Sequence, residues 1–447
     1  MKLDIKPDEL AKIIEGDLIH LSSKKMITKF STDTRTLKKG DIFWALKGKN
    51  FDGNDFVNEA INKGAIGIIS SRKSDLYHKT DFYILCKDTL QALHKLTEYH
   101  FSRFKIKTIS VTGSNGKTTT KEMIKNLLSA FAPTVSNLGN FNNEYGLPLS
   151  VLETEKKHKY AVFEIGSSSC GEIQKLSKLI KPDIAVITTI AVEHMEFFKN
   201  IKNVFKEETS VIKNLKKDGI IIINGDNIYL RRLKQSRKDI ISFGYQAHND
   251  LIIKDEEKSK FFIYKSKKYR IKLKHNISHS YLNAAAAFIV LDVLGLSLSK
   301  SIRILERFEG VPMRMQMIKR RNSILIFDAY NANPQSMKYA LIEISKMRPF
   351  AVVLGDMKEL GSYSLKEHIN AAKLIEKIEP EYTFLIGHEI KPAYDYLKDR
   401  IKNIKYYNNT EDAVDEVKRF IDSNKELNIL IKASRSMRFE RFVDLKH

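Results

Sequence analysis

Short runs of consecutive apolar residues alternate along the 447-residue chain with longer stretches in which apolar positions recur three or four apart. The runs read as strands buried on both faces, and the spaced pattern as helices lying over them. In the first hundred residues, 41–46, 65–70 and 82–85 predict short strands, and 55–63 predicts one helix. From 105 to 311, strands are expected at 108–112, 160–165, 184–189 and 220–224, alternating with helices. That alternation predicts a mainly parallel sheet with helices on its faces. Between 251 and 274 the pattern changes to short lysine-rich β-type runs, read as a small antiparallel patch appended to this unit. From about 313 onward, strands at 323–327, 350–354, 382–386 and 428–431 again alternate with helices, a second open α/β unit. No internal repeat and no low-complexity linker interrupts these three segments.

The segment at 108–119 reads Thr-Ile-Ser-Val-Thr-Gly-Ser-Asn-Gly-Lys-Thr-Thr. An apolar strand here runs straight into a glycine loop and then a helix, expected over 117–130. Such a loop, Gly113, Ser114, Asn115 and Gly116, turns its backbone N–H groups toward nucleotide phosphates. Lys117 reaches a terminal phosphate, the Thr118 hydroxyl suits Mg²⁺, and Thr119 continues the helix start. Val111 stands where the commoner P-loop has its first glycine. The shorter form fits ligases that activate a carboxylate with ATP better than it fits a GTPase or helicase.

In open α/β sheets, ligands sit at the carboxyl ends of strands, so the polar residues there are the candidates. Glu164 ends an apolar strand; it is either a Mg²⁺ ligand or an edge-strand acid facing solvent. His194 follows the 184–189 strand and is either a metal or phosphate contact or a structural histidine. Asp328 opens Asp-Ala-Tyr-Asn-Ala-Asn-Pro; it either binds ribose hydroxyls or belongs to a capped loop, with Pro334 and Ser336 suited to a helix start. Lys432 and Arg435 follow the last strand and offer two cations for phosphate or carboxylate. The stretches 31–35 and 45–53 read as ordinary polar loops.

Composition narrows the classes. Apolar content of 43% and charged content of 29% are those of a globular protein, and length predicts several domains. No apolar run approaches the roughly 18–20 residues needed to span a bilayer. The N-terminus has several acids and no apolar core, so no secretion signal is expected. Cys86 and Cys170 form neither a ligand spacing nor a disulfide framework, which points to a reducing cytoplasm. The formal charge of +22 invites a nucleic-acid role, but the lysines are spread rather than clustered in a basic stripe, and the chain shows no aromatic stacking pattern. A positive field equally favours a small anionic substrate.

The glycine loop is followed, in order, by Asn140-Phe-Asn-Asn-Glu-Tyr-Gly-Leu-Pro148, Glu164-Ile-Gly, His194, His279 with Asn283-Ala-Ala-Ala, Arg314, Asp328-Ala-Tyr-Asn-Ala-Asn-Pro and Gly355-Asp-Met-Lys-Glu-Leu-Gly361. This order resembles the Mur ligases of peptidoglycan synthesis, over about 30–436. Within that family, the two last motifs resemble the branch that adds D-alanyl-D-alanine to UDP-N-acetylmuramoyl-tripeptide. The alternatives are a branch adding one amino acid, a folylpolyglutamate synthase-like ligase, a nucleic-acid-dependent ATPase and a non-catalytic ATP-binding regulator.

The resemblance implies an α/β fold in three domains: a small α/β domain binding the UDP-sugar (1–104), a central P-loop ATPase with a mainly parallel sheet (105–311) and a C-terminal Rossmann-like domain (312–447). It implies ATP and Mg²⁺, small-molecule partners, no nucleic acid, no membrane insertion, and a monomeric cytoplasmic enzyme of cell-wall synthesis. Gly113, Ser114, Asn115, Gly116, Lys117, Thr118, Thr119, Asn283, Arg314 and Asp328 are its expected nucleotide contacts. Thr34, Arg35, Lys47, Asn142, Asn143, Asn331, Asn333, Lys432 and Arg435 are expected to hold substrate. Thr118, Glu164, His194 and Glu208 are expected metal ligands, with Lys117 catalytic beside the last three.

Four positions depart from the family pattern. Met313 and Ala433 replace glycines, and Ser280 replaces an asparagine. Glu208 stands where many Mur ligases carry a lysine that CO₂ converts to a carbamate. Glu208 is expected to supply the same anionic oxygens to a second Mg²⁺; the alternative is a modified Lys206.

Overall fold

The protein's structure is a computed structural model that describes residues 4–48, 51–256 and 259–443. It contains three sheets, one for each sequence segment. In the first, the order is Asp17–Leu21, Phe82–Leu85, Gly67–Ser70, Ile42–Trp44, Phe30–Ser31, parallel except for the Asp17–Leu21 edge. The expected helix forms at Val57–Asn62, preceded by a 3₁₀ turn, Gly53–Phe56. Two further helices, Pro7–Ile14 and Thr89–Ser102, were not expected. They bury Leu10, Ala11, Ile14, Ala92, Leu93 and Leu96 against the opposite sheet face. The Asp88 carboxylate caps Thr89–Ser102 by accepting from Leu90 and Gln91 N–H at 2.8 and 3.0 Å.

The central sheet has nine strands in the order Lys267–Ile271, Ser259–Tyr264, Leu251–Glu256, Ile240–Gly244, Ile220–Asn224, Ile184–Ile187, Lys107–Thr112, Tyr160–Glu164, Thr134–Ser136. The glycine-loop strand therefore lies between the strands that lead to Glu164 and to His194. The lysine-rich stretch is antiparallel and appended to this unit, as expected. Phe243 pairs with Leu251 and Gly244 with Ile252, so the hairpins extend the same sheet. Helix Lys117–Ser129 packs on helix Ser278–Val293, whose Ala284, Ala285, Ala286 and Ala287 are fully buried and let the backbones come close.

The third sheet runs Gln316–Lys319, Ile324–Asp328, Asn428–Lys432, Phe350–Gly355, Tyr382–Ile386, Ile404–Tyr407, with only the first strand antiparallel. All six positions of Phe350–Gly355 are buried, because helices cover both faces. No helix among the described residues is long and apolar enough to cross a membrane.

Candidate functional site

A cavity of about 370 Å³ opens where the carboxyl ends of the central strands face those of the third sheet. Its floor is the glycine loop. Gly113 and Gly116 hold φ of +119° and +85°, a backbone region that residues with a Cβ rarely adopt. Space demands glycine as well: a Cβ on Gly113 would lie 2.3 Å from Thr188 Oγ1, and one on Gly116 2.6 Å from Asn283 Oδ1. Thr188 explains the tightness, since its hydroxyl donates to the Asn115 carbonyl at 2.6 Å and the Thr112 carbonyl at 3.1 Å. Gly116 ends in helix Lys117–Ser129, so that helix's free N–H groups point into the cavity.

Lys117 Nζ donates to the Gly113 carbonyl at 2.5 Å and stands at the cavity wall. Burial alone would make this amine easier to deprotonate. The carboxylates of Glu193, Glu208 and Glu164 outweigh that and hold its pKa above the ordinary lysine value.

Glu164 and Glu193 both face the cavity, and Glu164 Oε2 and Glu193 Oε1 are buried without a hydrogen-bond partner. Glu164 Oε1 accepts from Asn142 Nδ2 at 2.7 Å. Two orphaned, buried carboxylate oxygens beside a phosphate cradle fit a divalent cation. Among the described residues no three His, Cys, Asp or Glu side chains form a ready-made metal cluster. Mg²⁺ takes one or two carboxylates and completes its shell with water and substrate phosphate.

His194 lies on the same wall and bonds through Nδ1 to Glu359, from the third segment. Burial pushes its pKa down, but the Glu359 bond and the Glu193 and Glu359 charges raise it above the ordinary value. His279 is half-buried with its ring centroid 3.8 Å from that of Tyr339; burial lowers its pKa to about 4.

The third segment closes the opposite wall. Asn115 and Asn333, 218 residues apart, exchange side-chain hydrogen bonds at 2.9 and 3.3 Å, and Asn115 also donates to Gln335 at 2.9 Å. Asn333 caps helix Pro334–Ser345 with Ser336 in a capping box, so one residue both starts this helix and reaches the glycine loop. Asp328 Oδ2 accepts from Lys432 Nζ at 2.6 Å, and Lys432 also donates to the Asn331 carbonyl at 3.0 Å. The Arg314 guanidinium stacks 4.0 Å from the Tyr330 ring centre.

Most expected residues therefore line one cavity: Ser114, Asn115, Gly116, Lys117, Thr118, Thr119, Asn142, Asn143, Glu164, His194, Asn283, Arg314, Asp328, Asn331, Asn333 and Lys432. The others do not. Thr34 and Arg35 lie in the turn after Phe30–Ser31, and Lys47 in an isolated bridge with Asp52 after Ile42–Trp44, all in the first segment. The Thr34 carbonyl accepts from Lys63 Nζ at 3.1 Å, Arg35 is exposed and paired with Asp33, and the Lys47 carbonyl accepts from Tyr145 at 2.9 Å. That last bond ties the 140–148 loop to the first segment. Arg435 is half-exposed, with Met313 and Glu440 as partners.

Glu208 differs most from expectation. It is not among the residues that line the cavity; it lies beneath the glycine loop, where its Oε2 accepts from Thr112 Oγ1 and, at 2.6 Å, from Gly113 N–H. Burial raises its pKa to about 7, against the pull of Lys117. Lys206 is exposed on the same helix, Ile201–Glu208.

Sequence reasoning missed Thr188, Glu193, Tyr339 and Glu359. Glu193 had a signal, an acid beside His194 after a strand. Glu359 also had one, since it lies within the Gly355-Asp-Met-Lys-Glu-Leu-Gly361 motif, whereas Thr188 and Tyr339 act across elements with no local mark. Two departures from the family pattern gain a physical reading. Met313 adopts φ +59°, where glycine is unstrained, and buried Ala433 is accommodated opposite Gly355, on which a Cβ would come within 2.8 Å of Ala433 Cβ.

Comparison with known proteins places these features in a common frame. Descriptions of the Mur ligase family match 26–100 (catalytic domain), 111–291 (middle domain) and 313–435 (glutamate ligase domain). A UDP-N-acetylmuramoyl-tripeptide–D-alanyl-D-alanine ligase of Rickettsia prowazekii is 32% identical over 95% of this chain and 96% of its own length. The crystal structure of MurF from Acinetobacter baumannii superposes with a TM-score of 0.88 at 28% identity, covering 97% of this chain and 96% of that one. MurF ligase from Thermotoga maritima in complex with ADP gives 0.83 at 29% identity, covering 93% and 96%.

Proposed function

The chain belongs to the Mur ligase family, and we propose that it joins D-alanyl-D-alanine to the terminal carboxylate of UDP-N-acetylmuramoyl-tripeptide at the expense of ATP. The observation that carries this reading is the shared cavity: a glycine-loop cradle with Lys117, facing unpartnered carboxylate oxygens, walled by a second α/β sheet. In this scheme 1–104 receives the UDP-sugar, 105–311 binds ATP and 312–447 closes the site.

A carboxylate is a poor acyl donor at neutral pH, so it must first be activated. The substrate carboxylate attacks the γ-phosphorus of ATP, ADP departs, and an acyl phosphate results. The acceptor amine then attacks the acyl carbon; phosphate leaves, nitrogen loses a proton, and an amide forms. No side-chain nucleophile is required, and the chain's task is positioning and charge neutralisation. Backbone N–H groups of Asn115 to Thr118 would hold the phosphates, with charged Lys117 beside the transferred group; the Ser114 N–H is spent on the Thr189 carbonyl at 2.8 Å. Thr118, Glu164 and Glu193 would hold Mg²⁺, which supplies charge screening and a template for the phosphates, and His194 would face the phosphates from the same wall. Asn283 and His279 flank the space for the base, and Arg314 and Asp328 that for the ribose and phosphates. The Asn115–Asn333 bridge and the His194–Glu359 bond would hold the third sheet over the acyl phosphate and exclude water. The same reading puts the reaction in the cytoplasm, in keeping with the free thiols of Cys86 and Cys170.

Phosphate release measured with UDP-linked tripeptide, ATP and D-alanyl-D-alanine, omitting each in turn, tests the assignment. Release must require all three. Turnover with a single amino acid in place of the dipeptide would move the chain to another branch, and a folded Lys117→Ala variant that still forms amide would refute the scheme.

A further inference from the structure

Helix Ile201–Glu208 ends in two buried carboxylates that point at different walls of the cavity. Glu208 accepts from the Gly113 N–H at 2.6 Å and from the Thr112 hydroxyl, the last residue of the strand and the first of the loop. Lys117 Nζ takes the other side of the same residue, the Gly113 carbonyl, at 2.5 Å. Gly113, which has no side chain to wedge it, is thus pinned at both its N–H and its carbonyl. Glu207 does the equivalent across the cavity. It accepts from Gly171 N–H at 2.5 Å and Ile173 N–H at 2.8 Å, anchoring the start of helix Glu172–Ile180, and Ser167, Ser168 and Glu172 of that turn line the cavity. A carboxyl oxygen that accepts a backbone N–H fixes that peptide in place, and Gly113, at φ +119°, has no side chain of its own to do so.

We infer that Glu208 is a positioning residue for phosphoryl transfer, setting the height of the glycine loop and of Lys117 through Gly113, with Glu207 fixing the facing wall. The inference rests on the ligase reading. It gives Glu208 a role distinct from metal ligation: its Oε2 is spent on the Gly113 N–H and the Thr112 hydroxyl, and Glu208 is not among the residues that line the cavity.

The test uses the full chain as Glu208→Ala, Glu208→Gln and Thr112→Val, with folding checked by thermal unfolding. Phosphate release is followed at varied ATP and at varied Mg²⁺. In Glu208→Ala, kcat/KM for ATP falls on the order of 100-fold, the scale of an ångström misplacement. Glu208→Gln recovers to within about tenfold of the parent, because the amide oxygen still accepts from Gly113 N–H. The Mg²⁺ concentration for half activity stays that of the parent in both. Thr112→Val lowers kcat/KM less, and its effect is not additive with Glu208→Gln, as expected of groups sharing one oxygen. Full activity in Glu208→Ala overturns the inference. So does a Glu208→Gln variant as impaired as Glu208→Ala with a raised Mg²⁺ requirement, which would make the carboxylate a metal ligand. Should the unmutated chain release no phosphate from its three substrates, the ligase reading falls instead. ATP affinity by calorimetry then decides the brace alone: weakened by Glu208→Ala and spared by Glu208→Gln supports it, equal effects overturn it.

Discussion

Gly113→Ala is the sharpest probe of the phosphate cradle. The new Cβ would stand 2.3 Å from Thr188 Oγ1 and 2.9 Å from the backbone nitrogens of both Thr188 and Thr189. Ordinary contact begins near 3.4 Å, so the loop must lift by about 1 Å. It must also carry a side chain at φ +119°, a strain of roughly 1–3 kcal/mol. Lifting Gly113 breaks its bond to Glu208 and moves the carbonyl that orients Lys117. A displacement of that size at the reacting phosphate lowers kcat/KM for ATP on the order of 100-fold, about 2.7 kcal/mol of transition-state stabilisation. The assay is steady-state phosphate release with all three substrates, beside calorimetric ATP binding. Adding Thr188→Ala removes the 2.3 Å clash but neither the backbone contacts nor the φ strain, so it restores only part of the loss. Gly116→Ala is the internal comparison: its Cβ would press on the Asn283 side-chain oxygen at 2.6 Å, with side-chain atoms and no backbone among its nearest contacts, and its loss is smaller. Gly113→Ala with kcat/KM within about twofold of the parent would refute the argument, because a loop that tolerates the lift is not setting the geometry.

Three other outcomes follow from buried groups. Lys432→Met strands the Asp328 carboxylate, now paired at 2.6 Å with a side chain that is 1% exposed, and costs about 3–5 kcal/mol, read as a lower denaturation midpoint. An unchanged midpoint would mean the pair contributes nothing to the third sheet. His279, held neutral by burial with a pKa of about 4, binds its proton more readily once unfolded, near 6.5. The unfolded state therefore takes up more protons between those values, so stability is full above 6.5 and falls as pH drops toward 4, by at most about 1.4 kcal/mol per pH unit. Denaturation of His279→Phe should lose that portion of the slope, and an identical pH profile would contradict it. Cys170 is exposed, whereas Cys86 is buried and its thiol is pushed up to about 11, so native protein should react with one equivalent of a thiol reagent and unfolded protein with two. Two fast equivalents in native protein would show that the first domain opens around Cys86.

The sequence alone was enough for what neighbouring residues decide together. The strands Phe82–Leu85, Ile220–Asn224 and Tyr382–Ile386 were predicted to the residue, because an apolar run bounded by polar positions marks a strand buried on both faces wherever it sits. The glycine loop was legible for the same reason: strand, turn, cation and helix start are contiguous. Helix Thr89–Ser102 escaped notice because its sheet-facing side, Ala92, Leu93 and Leu96, is a narrow stripe among polar and aromatic residues. Only the tertiary structure decided which distant groups meet. Asn115 with Asn333, His194 with Glu359 and Asp328 with Lys432 are more than a hundred residues apart, and no local pattern encodes their pairing. Nor could spacing tell where Glu208 points: a carboxylate at that position suits a cation or a backbone N–H equally in composition, and the choice was made by where the helix end comes to rest beneath Gly113. Direction in space, unlike periodicity, is a property of packing, and packing is settled by the whole chain.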